Sequence, residues 1–323
     1  MSATRGRYAP SPTGEIHLGN ASTALVAWLA ARSSGGSFVI RLEDLDRPRV
    51  REGAAERILD DLAWLGLDWD EGPDRGGPHG PYDQWSRRDR YDDAFAKLLE
   101  GGFVYPCFCS RKDVAAAASA PQAPGDEVRY PGTCRALSRQ EAERRRAEGR
   151  PHAWRFLAVG EESPDFDDLV RGPQTGARDA FGDFVVRRAD GVPAYQLAVV
   201  VDDAAMRITE VVRGDDLLAS THRQILLQRA LGYPSPQYAH VPLLLGTDGV
   251  RLSKRHRGTS IRELRSAGFR SETVVGRLAG TLGLAPGPAP ISPRDLLEKF
   301  AFSRIVCAPS GIPVNPTTWP LEK

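Results

Sequence analysis

Apolar positions along the chain fall into two rhythms, one helical and one extended. Leu18 to Arg32 is dense in Ala and Leu, which favours a helix, and Gly35-Gly36 supplies its stop. Ser37–Leu42 is a short apolar run with β-branched residues and predicts a buried strand. Arg7-Tyr8-Ala9, leading into the rigid turn Pro10-Ser11-Pro12-Thr13-Gly14, predicts a strand before it. Strand, helix, strand in that order implies a parallel βαβ unit. A second helix is expected at about 52–65, with Ile58, Leu59, Leu62 and Leu65 at helical spacing, and a third at about 86–100. Further on, Phe184–Arg188 and Pro193–Val201 flank Asp190-Gly191 and predict a hairpin. Ile208–Val212 predicts a strand and Ser220–Leu231 an amphipathic helix. Helical segments follow Gly258, then a proline-rich stretch, Pro286–Pro293, and a tail ending in Trp319; no internal repeat is visible.

Between these regions the pattern changes. From 104 to 185 cysteines appear, then an Ala/Pro/Gly stretch from Ala115 to Gly125 that reads as a loop, then a short charged helix over Ser138–Gly149. This span reads as an insertion. The expected organisation is residues 1–103 and 186–260 as two halves of one α/β domain, 104–185 as an inserted module, and 261–323 as a short helical region.

The 323 residues suffice for a substantial core, and 41% apolar with 26% charged is ordinary for a globular protein. A net charge of +1 gives no chain-wide case for nucleic acid, so any such case rests on local clusters. No apolar run approaches the roughly 18 residues that span a bilayer, and Met1–Gly6 lacks the apolar core of a secretory signal. Four cysteines do not form a disulfide framework; Cys107, Cys109 and Cys134 cluster while Cys307 stands alone. A reduced cytoplasmic setting with a metal site fits that spacing.

Three groups of residues suggest chemistry. His17-Leu18-Gly19-Asn20 opens the first helix, where unpaired N–H groups and a partial positive charge suit a triphosphate. Gly19 lets a base approach the backbone, and His17 donates to phosphate. Arg251-Leu252-Ser253-Lys254-Arg255 follows Gly246-Thr247-Asp248-Gly249, a loop whose cations suit departing pyrophosphate. Three thiols, Cys107, Cys109 and Cys134, suit tetrahedral zinc once a fourth ligand is found. His152 and Asp126 are candidates for it. Basic residues cluster at 251–265, which is expected to face phosphates, and at Arg139–Arg150, where Glu141, Glu143 and Glu148 argue for a solvated helix face.

The two nucleotide-type signatures, at opposite ends of a split α/β domain, resemble those of class I aminoacyl-tRNA synthetases. The glutamyl branch is the closer match: Arg7–Gly14 with His17–Asn20, Arg41-Leu42-Glu43-Asp44-Leu45-Asp46 and Val211-Val212-Arg213-Gly214-Asp215-Asp216 are similar to its blocks. Asn20, Arg251 and Arg255 depart from that pattern, where histidine, lysine and serine are usual; Lys254 is kept. The resemblance implies a Rossmann-type doubly wound parallel sheet split by a small zinc-binding module. It implies ATP with Mg²⁺ at His17, Gly19, Asn20 and Lys254, with His17 and Lys254 catalytic. Glutamate carries two carboxylates and an ammonium and calls for about two cations and one carboxylate. Arg7, Glu43 and Arg213, with the hydroxyls of Ser11 and Tyr195, match the family's glutamate positions; which arginine meets which carboxylate stays open. For zinc, the resemblance points to Tyr130 as fourth ligand beside the three cysteines.

Residues 256–323 are fewer than the roughly 100–200 of a typical domain, so a separate anticodon-binding domain is not expected. The resemblance is then closest to the glutamyl-queuosine tRNA(Asp) synthetases, stand-alone cores that activate L-glutamate without tRNA and attach it to queuosine in tRNA(Asp). A monomer acting on ATP, L-glutamate and queuosine-bearing tRNA(Asp), with no membrane partner, is the expectation. The alternatives are a truncated glutamyl-tRNA synthetase charging the 3′ end of tRNA(Glu), and a non-catalytic RNA-binding relative.

Overall fold

The computed structural model describes residues 4–110, 112–114, 129–158, 164–176, 182–252 and 260–315. Lys254, Arg255, Asp126, the Ala115–Gly125 stretch and Trp319 lie outside the described residues. The opening strand–helix–strand unit is present: β1 (Arg5–Tyr8), α1 (Leu18–Ser33) and β2 (Ser37–Ile40). The strands are parallel and in register from Arg5 opposite Ser37 to Tyr8 opposite Ile40. Alanines on α1 let it sit close to the sheet; a Cβ on Gly6 of β1 would lie 3.1 Å from the Ala31 Cβ. At Gly36 a Cβ would lie 2.1 Å from the Thr4 carbonyl oxygen, so only glycine fits the return into β2.

Helices α2 (Ala54–Trp64) and α3 (Arg88–Glu100) follow, close to their expected bounds. Then come β3 (Val104–Cys107), α4 (Arg139–Ala147), β4 (Ala153–Phe156), β5 (Phe166–Asp168), β6 (Gly172–Gln174) and β7 (Phe184–Arg187). The chain continues through α5 (Tyr195–Ala205), β8 (Glu210–Gly214), α6 (Leu218–Leu231), β9 (Gln237–Val241), β10 (Leu244–Leu245), α7 (Ile261–Ser266), α8 (Ser271–Leu282) and β11 (Ile312–Pro313).

The main sheet has the order β2-β1-β8-β9-β5-β6. Its pairings are parallel except for β6, which runs antiparallel to β5 at one edge. Both faces are covered, as alternation along the strands shows. Phe38, Ile40, Val212, Ala239 and Val241 join the core around α1, α7 and α8. Val39, Val211 and Tyr238, one residue out of step, join a second cluster with Met206, Ile208 and Ile225.

A separate antiparallel sheet, β3-β4-β7, packs with α3, α5 and α6. This corrects the expected hairpin. The turn at Asp190-Gly191 exists, with Gly191 at φ +82°, and the Arg188 N–H donates to the Val192 carbonyl at 2.9 Å. The second arm stops at Ala194, which caps α5; Val199, Val200 and Val201 are helical. Their burial against α3 and α6 outweighs the preference of valine for strands. The first arm, β7, pairs with β4 rather than with the parallel sheet.

The charged helix α4 is capped by Ser138, whose side chain accepts from the Glu141 N–H. Its arginines pair with carboxylates one turn away, Arg139 with Glu143 and Arg144 with Glu141 and Glu148. At the other end of the chain, β11 lies parallel to β10, with Leu244 opposite Ile312 and Leu245 opposite Pro313. No helix among the described residues is long and apolar enough to cross a membrane.

Candidate active site

The carboxyl ends of β1, β2 and β8 converge with the start of α1, as at the switch point of open α/β sheets. Between them is a cavity of about 390 Å³ lined by Arg7, Ser11, Gly19, Asn20, Glu43, Tyr195 and Arg213, among others. Seven of the residues expected from the sequence are thereby brought to one cavity, although they lie on five separate stretches of chain.

His17 is placed beside it, as the N-cap of α1. Its carbonyl accepts from the Asn20 and Ala21 N–H groups, each at 2.9 Å. Its ring lies against Gly19, where an added Cβ would come within 3.3 Å of two ring atoms. Lys254 lies outside the described residues, but the chain on both sides of it reaches the site. Arg251 lines the cavity and pairs with Asp216. Ser260 bridges His17 in antiparallel fashion, and the Ile261 N–H donates to the Ile16 carbonyl at 2.9 Å.

Charge in the cavity floor is arranged around Asp203. Its Oδ1 accepts from Arg41 Nη1 at 2.6 Å and from Arg7 Nε at 3.3 Å. Arg7 Nη1 also donates to the Val212 carbonyl at 3.0 Å, which leaves its other terminal nitrogen for the cavity. Burial disfavours a charge on Asp203, but Arg41 and Arg7 overcome it and hold the carboxyl below its usual range. Glu43, which accepts from Arg41 Nη2 at 3.2 Å, is pushed up by burial; Arg41 and Arg7 only partly oppose this. A ligand ammonium beside Glu43 would complete its compensation.

Arg213 is held by side chains that the sequence did not mark. Its Nε donates to His240 Nε2 at 2.9 Å, Nη1 to Gln224 at 2.7 Å, and Nη2 to Thr221 at 2.8 Å. His240 in turn meets Asp168 Oδ2 at 2.6 Å through Nδ1. Burial pushes His240 down to about 4, with Asp168 opposing, so the imidazole is neutral near pH 7.

A larger cleft of about 940 Å³ shares Ser11, Glu43 and Tyr195 with the first cavity and extends to Cys109 and Tyr130. At its far end the Sγ atoms of Cys107, Cys109 and Cys134 lie within 4.8 Å of one another. Tyr130 stands with them: its hydroxyl is 3.3 Å from Cys107 Sγ and 3.8 Å from Cys109 Sγ, and it accepts from the Cys134 N–H at 2.7 Å. Cys109 and Cys134 are 3.5 Å apart. Zinc–sulfur bonds of about 2.3 Å put tetrahedral ligands roughly 3.8 Å apart, so this donor set fits a zinc ion. His152 does not join it; its Nδ1 is 3.1 Å from the Arg150 carbonyl oxygen and its ring packs on Phe108 and Trp154.

The residues missed were Arg41 in its structural role, Asp202, whose Oδ2 lies 3.6 Å from Arg41 Nε, Asp203, Asp168, His240, Thr221 and Gln224. One signal was available: Asp202 and Asp203 end an apolar run, and Arg41 interrupts another. Charges in apolar runs are buried only when paired.

Comparison with known proteins places this geometry in context. The family model for tRNA synthetases class I (E and Q), catalytic domain, matches residues 3–288. A Symbiobacterium thermophilum protein named glutamyl-Q tRNA(Asp) synthetase is 55% identical over 311 residues, covering 96% of each chain. One of the same name from Nitratidesulfovibrio vulgaris is 49% identical, again over 96% of each. A glutamate–tRNA ligase of Anaeromyxobacter is 46% identical over 97% of this chain, which spans 64% of that protein. The crystal structure of glutamate-tRNA synthetase from Elizabethkingia anophelis aligns with a TM-score of 0.85 at 30% identity, over 98% of this chain and 69% of that one.

Proposed function

The chain belongs to the class I tRNA synthetases of the E and Q type, catalytic domain, and from that membership we propose that it activates L-glutamate with ATP and passes it to queuosine in tRNA(Asp). The observation that carries the amino acid is the joint presence of Arg7, Glu43 and Arg213 in one cavity. Two cations face the two carboxylates and Glu43 takes the ammonium; Ser11 and Tyr195 add hydroxyls. The acceptor follows the relatives' names and the nearly full overlap with them.

In the first step a carboxylate oxygen of glutamate attacks the α-phosphorus of ATP and the bond to pyrophosphate breaks. The protein contributes position and charge rather than a covalent nucleophile. The start of α1, with His17, Gly19 and Asn20, takes the nucleotide. Lys254 is assigned to neutralising the departing pyrophosphate, and the described residues that flank it in sequence, Arg251 and Ser260, reach the site. Mg²⁺ bound with ATP would screen the phosphate charge. In the second step a hydroxyl of the modified base attacks the carbonyl of the adenylate and AMP leaves. The larger cleft, which shares a wall with the glutamate cavity, is where that base would enter. Cys107, Cys109, Cys134 and Tyr130 would hold a zinc ion, whose binding would help to fold the module at the far side of this cleft.

The test is glutamate-dependent ATP–pyrophosphate exchange with no RNA, followed by transfer of labelled glutamate. Exchange without RNA, and label on an internal base of tRNA(Asp), are the expected results. Label on the 3′-terminal adenosine of tRNA(Glu) would favour the second reading, a synthetase of the shorter kind. The glutamate–tRNA ligases among the relatives keep that reading in play. No exchange and no transfer would refute both.

A further inference from the structure

Arg213 lines the glutamate cavity, and its surroundings leave it little freedom. A guanidinium has five N–H groups. Nε is spent on His240, one hydrogen of Nη1 on Gln224, and Nη2 on Thr221 and, at 3.3 Å, on the Leu217 carbonyl. Among the described residues, one N–H, on Nη1, is left without a partner. The Tyr238 ring flanks the guanidinium, 5.3 Å from its central carbon.

The bond at Nε matters most for orientation, because it fixes the plane of the fork. His240 can accept there only as a neutral ring protonated on Nδ1. Asp168 enforces that tautomer: its Oδ2 is 2.6 Å from Nδ1. Its Oδ1 accepts from the backbone N–H groups of His240, Val170 and Arg171 at 3.1, 3.0 and 2.8 Å. Both side chains are fully buried, out of reach of solvent or substrate. Asp168 lies on β5, which pairs with β9, the strand that carries His240.

We propose that His240 and Asp168 are positioning residues for the amino acid: together they orient Arg213 so that its remaining N–H is offered to the glutamate cavity as a fixed donor. Neither touches substrate. This rests on the assignment of Arg213 to glutamate made above. It adds that the tight Asp168–His240 pair serves substrate affinity rather than only the sheet.

The experiment compares His240→Phe, which removes the acceptor at similar volume, with His240→Gln, which can keep an acceptor near the Nε2 position. Steady-state exchange gives KM for glutamate and for ATP, and melting temperature reports folding. His240→Phe is expected to raise the glutamate KM about 10-fold or more, with kcat and the ATP KM within about 2-fold. His240→Gln should recover most of the loss. If His240→Phe fails to fold, Asp168→Asn, which preserves shape but presents an amide N–H to Nδ1 and so favours the wrong tautomer, should show the same glutamate-selective loss. Three results overturn the proposal: an unchanged glutamate KM in the folded variants, equal losses for ATP and glutamate, or His240→Gln as impaired as His240→Phe. If the unaltered protein neither exchanges nor binds glutamate by calorimetry, the assignment of the cavity itself falls, and that failure is seen before any variant is made.

Discussion

Arg41 and Asp203 form a buried ion pair at 2.6 Å, and the oxygen that binds Arg41 also receives Arg7. Arg41 has no exposed side-chain surface. Burial disfavours its charge, yet Asp203, Asp202 and Glu43 hold it firmly protonated. Removing one partner from such an arrangement leaves an uncompensated charge, which typically costs about 3–5 kcal/mol. Asp203→Ala should therefore lose stability of that order in urea unfolding and, in whatever folds, weaken glutamate through Arg7. A loss below about 1 kcal/mol would mean that Asp202 and Glu43 suffice for Arg41.

In the proposed glutamate site, Glu43 would set the acid limit of binding. Burial raises it above its ordinary 4.5. Only the carboxylate form attracts the substrate ammonium, so binding is present above this raised pKa and is lost as pH falls through it. The glutamate KM, measured from about pH 5 to pH 8, should rise on the acid side while the ATP KM changes little. Glu43→Gln should remove that limb and raise the glutamate KM by about 100-fold at neutral pH. An acid limb that survives in Glu43→Gln would assign it to another group.

The thiol cluster predicts one zinc per chain by elemental analysis. Cys134→Ser should lose the metal and lower the melting temperature by several degrees. Tyr130→Phe keeps three thiolates and should release zinc to a chelator faster than the unaltered protein. Unchanged release would remove the phenol from the ligand set; His152, turned toward the Arg150 carbonyl, would need to rotate to replace it.

Glu210 gives a pH dependence of stability rather than of activity. It is buried near the start of β8, burial pushes it up to about 7, and its Oε1 has no hydrogen-bond partner among the described residues. A raised carboxyl stabilises the fold fully below its ordinary 4.5, and that contribution is lost as pH climbs to about 7. Glu210→Gln stays neutral, so at about pH 8 it should be more stable than the unaltered protein by on the order of 2 kcal/mol. Near pH 5 the two should differ little. Equal melting temperatures at both pH values would show that the Glu210 charge is already compensated.

Much of this was legible in the sequence, for identifiable reasons. The Ala- and Leu-rich segment from Leu18 and the apolar strand from Ser37 follow local pattern, and both are where the pattern put them. Arg7, Glu43 and Arg213 were marked by the resemblance to the glutamyl synthetases, whose two-carboxylate substrate suits that set of charges, and the fold brings them to one cavity. The hairpin was misplaced because three valines beside an Asp-Gly turn favour a strand locally, whereas packing between α3 and α6 decides for a helix. Asp168, Asp203 and His240 stayed invisible because their importance is relational. Each matters through a partner 27 to 196 residues away in the chain, and no local rhythm records such pairings.

The short parallel pair between β10 and β11 bears on where this protein can be divided. The family match closes at residue 288, yet Leu244 and Leu245 take their strand partners from Ile312 and Pro313. Those leucines stand only a few residues before Arg251, and Leu245 bridges it in antiparallel fashion. A chain cut at the family boundary would leave β10 without its strand partner, and under the proposed role of Lys254 the expected injury is slow pyrophosphate chemistry. The boundary of the catalytic-domain match and the strand pairing that fixes β10 thus fall in different places along the same polypeptide.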